Sequence, residues 1–187
     1  MNLSSARIAV CAALLALAPG GCAPLEEPPL PEKPDSDVPW TYEPEGVVLR
    51  INAVPGLNEH EGEPSSLMLC VYQLSSREGL DMRLASREGF AELLACKRFD
   101  DSVATAQRLF SDPGQAQNLY LDRQEGVRWI ALVAGYYHGT PARSALVVPV
   151  PIRTVTEGWM PFMKKTHREP GRTILPIRLG ASEILGR

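Results

Sequence analysis

The sequence predicts a mainly β fold, a two-sheet β-sandwich interrupted once by a short helical insertion. Three observations carry that reading. Seven or so short β-rich runs follow one another at close spacing, bounded by Gly, Pro, Asn and Asp. Only between residues 77 and 98 does the apolar period become helical. The 187 residues include 17 prolines and 15 glycines, too many for a helical bundle. This length, with 44% hydrophobic residues, suits one globular domain and not two full-sized ones.

The chain opens with an address. Arg7 is the only charged side chain before Glu26, and residues 8–18, IAVCAALLALA, form an unbroken apolar run. Eleven residues are too few for a spanning helix, which needs about 20, but they suit a secretory signal. Ala18-Pro19-Gly20-Gly21-Cys22 then places small residues directly before a cysteine. We read 1–21 as a lipoprotein signal peptide and Cys22 as the lipid (palmitate) attachment site, although Pro19 stands where Leu is usual. Ala23 follows the cysteine where Asp would signal inner-membrane retention, which favours the outer membrane, facing the periplasm. Residues 22–45 then read as lipidated Cys plus tether. Positions 23–45 hold seven prolines, seven acidic residues and one Lys, too little apolar surface to order independently. Such a segment extends at about 3.1 Å per residue.

The sandwich, with its helical insertion at 77–98, is expected over 46–187. Residues 47–53 (VVLRINA) make a first strand. An eleven-residue loop, 54–64, leads to SLMLCVYQL at 66–74. There Leu67, Leu69 and Val71 share one face and Met68, Cys70 and Tyr72 the other, so this strand should be central and covered on both sides. Leu80, Leu84, Phe90, Leu93 and Leu94 then recur at helical spacing, with Ser86 as an N-cap. Strands return at 103–110, before the turn Ser111-Asp112-Pro113-Gly114, and at 118–121, before Glu125-Gly126. VRWIALVAGYY at 127–137 is the clearest strand. SALVVPVPI at 144–152 reads as an edge, because Pro149 and Pro151 cannot donate to a ladder. TILPIRL at 173–179 closes the sheets, and 153–172 reads as a long basic-aromatic loop. In an oxidising compartment Cys70 and Cys96 can form a disulfide, or remain two reduced core cysteines.

The composition also excludes functions. A formal charge of −3 leaves no electrostatic footprint for nucleic acid, and 6% aromatic content offers no base-stacking platform. His60, His138 and His167 fall in three separate loops outside any zinc spacing, so no metal site is expected. There is no GxSxG elbow, Cys-His signature or Gly-rich phosphate loop, so neither catalysis nor a cofactor is expected. The loop at 54–64 stands out instead. It is long for a strand connection, carries Glu59, Glu61 and Glu63, and is expected to expose Leu57 and His60. Its functional reading is a recognition loop on a rigid sheet; its plain reading is a solvated hairpin loop.

The assembled order resembles the TssJ family, outer-membrane lipoproteins of the bacterial type VI secretion system. The matching stretches are Leu57-Asn58, Gly62 and Pro64, then Val71-Tyr72-Gln73-Leu74 and Phe90-Ala91-Glu92-Leu93-Leu94. Pro113-Gly114 and Val133-Ala134-Gly135-Tyr136-Tyr137 follow, all behind a lipoprotein signal. The resemblance implies a transthyretin-like sandwich and a structural, non-enzymatic role. It also implies periplasmic binding to the C-terminal region of TssM and, through it, an indirect link to TssL. The family's contacting element maps onto Leu57, Asn58, Gly62 and Pro64, with His60, Glu61 and Glu63 between them. The Cys70/Cys96 pair does not come from the family. The rivals are another periplasmic lipoprotein binding or assembly module and, less well supported, a transthyretin-like carrier or hydrolase. Such hydrolases end in Tyr-Arg-Gly-Ser, whereas this chain ends Glu183-Ile184-Leu185-Gly186-Arg187.

Overall fold

Strand β1 (Glu43–Ala53) is the centre of one sheet in the computed structural model, which describes residues 35–158 and 164–185. The expected signal peptide, Cys22 and the tether up to residue 34 lie outside the described residues. β1 pairs antiparallel with β4 (Ala116–Arg123) and parallel with β9 (Thr173–Leu179). Strand β2 (Leu67–Leu74) is the core of the second sheet, with β3 (Val103–Ser111) on one side and β5 (Trp129–Ala134) on the other. β6 (Ala145–Pro149) forms that sheet's edge, where its terminal proline costs no ladder bond.

The two faces of β2 account for the layering. Leu67, Leu69 and Val71 pack into the sandwich core with Val47, Leu49 and Ile51 of β1 and Ile130 and Leu132 of β5. Cys70, Tyr72 and Leu74 turn the other way, onto Leu80, Phe90 and Leu93. Those three belong to α1 (Glu78–Leu84) and α2 (Arg87–Leu93), the helical insertion between β2 and β3. Ser86 caps α2 by accepting from the Gly89 N–H at 3.0 Å. Cys96, just beyond α2, is disulfide-bonded to Cys70 with a Cα–Cα separation of 5.2 Å. The Tyr72 hydroxyl donates to the Leu93 carbonyl, and burial pushes this phenol's pKa up to about 12.

The structure differs from the sequence reading at three places. The expected loop at 153–172 contains a hairpin: β7 (Ile152–Glu157) pairs antiparallel with β8 (Lys165–Pro170). β7 is exposed or half-buried throughout and β8 buries only Pro170 at its end, so no apolar alternation betrays them. The strand expected to reach residue 137 leaves its sheet after Ala134. Tyr136 there turns inward, and its hydroxyl donates to the Glu183 carbonyl at 2.8 Å. Finally, the compact unit begins at Asp35, not at residue 46. Trp40 packs against the sandwich core, and Arg168 of β8 holds Asp37 at 2.8 Å and Asp35 at 3.2 Å. Buried Arg123 ties this segment down by donating to the Thr41 and Gly171 carbonyls.

Candidate functional site: the braced acidic loop

The β1–β2 loop begins inside the core. Leu57 is fully buried among the sandwich residues, not exposed as its loop position suggested. Its N–H donates to the Val54 carbonyl and its own carbonyl accepts from Ser65, which closes the base of the loop. An apolar side chain in a polar loop is readily taken for an exposed anchor. Here the turn at Val54–Leu57 folds it back under the sheets.

Asn58 is the brace. Its φ of 47° is left-handed, a conformation asparagine tolerates better than most residues. Its side-chain Nδ2 donates to Ser65 Oγ at 2.9 Å and to the Ser66 carbonyl at 3.3 Å. Its Oδ1 accepts the Tyr137 N–H at 2.8 Å, so one residue fixes the loop to itself and to the segment after β5. The Glu59 N–H donates to the Ala181 carbonyl, which adds the segment after β9.

Beyond the brace the loop makes a tight two-residue hairpin. The N–H and C=O of His60 and Glu63 exchange hydrogen bonds at 3.0 and 2.9 Å. Glu61 and Gly62 between them have φ of 52° and 85°. Positive φ at both central positions is the type I′ pattern, which matches strand twist and favours Gly. A Cβ on Gly62 would meet nothing within 4 Å, so glycine serves the backbone here and not close packing. The tip therefore exposes Glu59, Glu61, Glu63 and Pro64 from a fixed frame.

His60 is drawn onto the neighbouring loop. Its ring stacks on Tyr137 with centroids 3.5 Å apart and an interplanar angle of 29°. Its Nδ1 lies 3.4 Å from His138 Nε2, and its Nε2 lies 3.9 Å from a Glu61 carboxylate oxygen. Two of the three histidines expected in unrelated loops thus meet. Antiparallel pairing of Leu69 with Ala134 brings the start of β2 and the end of β5 together, so residues 78 positions apart become neighbours. Spacing along the chain carries no trace of this. His167 is elsewhere, on β8 beside Glu169 rather than in a loop.

What the site can do follows from its surface. It offers three carboxylates, an imidazole pair and Tyr137, which is 64% exposed, all on a rigid support. Among the described residues no three potential metal ligands come together. A separate groove of about 560 Å³, lined by Leu84, Leu146, Val148 and Leu175, lies on the flank; none of its lining residues belongs to the loop.

The site is thus an exposed acidic loop that a β-sandwich holds in a fixed frame. The chain belongs to the type VI secretion lipoprotein family, whose model (VasD, EvfM, TssJ) matches residues 45–174. This is a family of structural secretion-system lipoproteins and not an enzyme family. No curated protein matches the chain. Among solved structures it is similar to the lipoprotein TssJ1 from Pseudomonas aeruginosa, with TM-score 0.54 and 22% identity over 80% of this chain and 98% of that one. It is also similar to Serratia marcescens Lip, described as a membrane-bound component of the type VI secretion system. There the TM-score is 0.51 and the identity 18%, over 75% of this chain and 96% of that one. A third match is to a structure described as the type VI secretion protein TssM C-terminal domain from EAEC, with TM-score 0.55 and 12% identity over 75% and 96%. At these identities the structures establish the shared fold.

Proposed function

We propose that this protein is the outer-membrane lipoprotein of a type VI secretion membrane complex. It holds that complex by binding the periplasmic C-terminal region of TssM, and through TssM it is linked to TssL. Lipid at Cys22 fixes its position, the acidic tether sets its reach, and the sandwich supplies a rigid base without turnover. The exposed tip, Glu59 to Pro64, recognises the partner, while Leu57 and Asn58 position it. The observation that supports this reading best is the bracing of the tip from three directions. A loop fixed by Asn58, by the Ala181 carbonyl and by its own type I′ turn gives up little conformational entropy on docking.

The test uses the full chain in its own envelope. Changing Cys22 to Ser should move the protein from the membrane to the soluble fraction while TssM capture persists. Reversing the tip charges with Glu61→Lys and Glu63→Lys should leave it membrane-bound and abolish capture. Capture that survives charge reversal removes the loop assignment, and capture of a different envelope protein removes the TssM assignment.

A further inference from the structure

From the geometry of the loop end we infer a binding site for a divalent late-transition ion, Zn(II) or Cu(II), held by His60 Nδ1 and His138 Nε2. The sequence gives no hint of it. The inference concerns the ion alone and stands whether or not TssM docks on this loop.

The separation of the two nitrogens is the first argument. At 3.4 Å they stand at the long end of a hydrogen bond between two imidazoles. Two imidazole nitrogens bound tetrahedrally to one Zn(II) at about 2.05 Å lie roughly 3.3 Å apart. The pair therefore already has the spacing of two ligands on one ion. Neutral imidazole is a good ligand for both ions, and affinity rises from Ni(II) to Cu(II) before falling at Zn(II).

The second argument is the support around the ligands. A ligating histidine usually gives its other ring N–H to a carboxylate, which fixes tautomer and ring orientation. His60 Nε2 faces Glu61 Oε1 at 3.9 Å, so a small side-chain adjustment completes that contact. Stacking on Tyr137 sets the plane of the His60 ring, and Tyr137 packs edge-on against His138 at 4.9 Å between centroids. The Asn58 bond to the Tyr137 N–H couples the two ligand-bearing loops through the backbone. Both ligands come from loops of the second sheet's end that are fixed before the ion arrives. With only two protein ligands, the remaining coordination positions belong to water. The ion would staple the β1–β2 loop to the segment after β5.

The experiment is calorimetric titration of the full, tag-free chain in detergent, stripped with EDTA, with ZnCl₂ and separately with CuSO₄. One ion should bind per chain, Cu(II) more tightly than Zn(II). Cu(II) should give an electron paramagnetic resonance spectrum with two-nitrogen hyperfine structure. His60→Gln and His138→Gln should each weaken binding at least about tenfold, while His167→Gln should not change it. A nuclear magnetic resonance spectrum of each variant shows whether the fold is kept, so loss of binding is read only from folded protein. Binding that persists in both variants, or no binding at millimolar ion by the folded native chain, overturns the site.

Discussion

Replacing Asn58 with alanine tests the bracing of the loop directly. The change removes two side-chain donations, to Ser65 and to the Ser66 carbonyl, and the acceptor of the Tyr137 N–H. Leaving one backbone group unpaired costs about 1–3 kcal/mol, and the other bonds contribute about 1 kcal/mol net between them. Alanine at a φ of 47° adds roughly 1 kcal/mol of backbone strain. The sum is about 3–5 kcal/mol, or a fall in Tm of about 6–20 °C for a chain of this size. Urea unfolding of wild type, Asn58→Ala and Asn58→Gly reads the components separately. Glycine loses the same hydrogen bonds but not the strain, so it should lie about 1 kcal/mol above alanine. An alanine variant within about 0.5 kcal/mol of wild type would refute the brace. Equal losses for glycine and alanine would refute the part assigned to the left-handed backbone.

Other expectations follow from the same structure. Leu57→Ala should cost about 2–5 kcal/mol by urea unfolding, so deleting the whole loop would confuse recognition with folding. Glu61→Lys with Glu63→Lys, both on exposed positions, should change stability by no more than about 0.5 kcal/mol. Reducing the Cys70–Cys96 bridge, which closes a separation of 26 residues, should lower unfolding stability by about 3.5 kcal/mol. Tyr72, with its pKa pushed up to about 12, and Tyr136, also raised by burial, both hold their protons more tightly folded than unfolded. Their contribution is complete below about pH 10 and declines as pH climbs through the folded values. Tyr72→Phe should therefore flatten the fall in stability between pH 10 and 12, measured by denaturant titration at fixed pH.

Much of the sandwich was legible because burial leaves a pattern in residue order. Leu67, Leu69 and Val71 against Met68, Cys70 and Tyr72 announce a strand covered on both faces, and the structure places β2 there. The 77–98 insertion was equally plain, since leucines and Phe90 at helical spacing sit beside a Ser cap. The β7–β8 hairpin was hidden because IRTVTE and KTHREP bury neither face completely and so alternate nothing. At the site, the acidic loop could be found from its length and charge. Glu61-Gly62 carried a further local signal, since glycine at the second central position of a two-residue turn suits type I′. The inward fold of Leu57 and the meeting of His60 with Tyr137 and His138 depend on the register of β2 and β5. That register is a property of the assembled sheet, and no local spacing encodes it.

The central claim is that an exposed acidic tip on a rigid sandwich recognises TssM. The most direct measurement is calorimetric titration of the TssM periplasmic C-terminal region into the full chain in detergent, wild type against the Glu61→Lys, Glu63→Lys variant. Saturable binding by wild type, weakened at least about tenfold in a variant that unfolds at the same urea concentration, is the predicted result. Unchanged affinity in the variant, or no heat of binding from wild type, would contradict it.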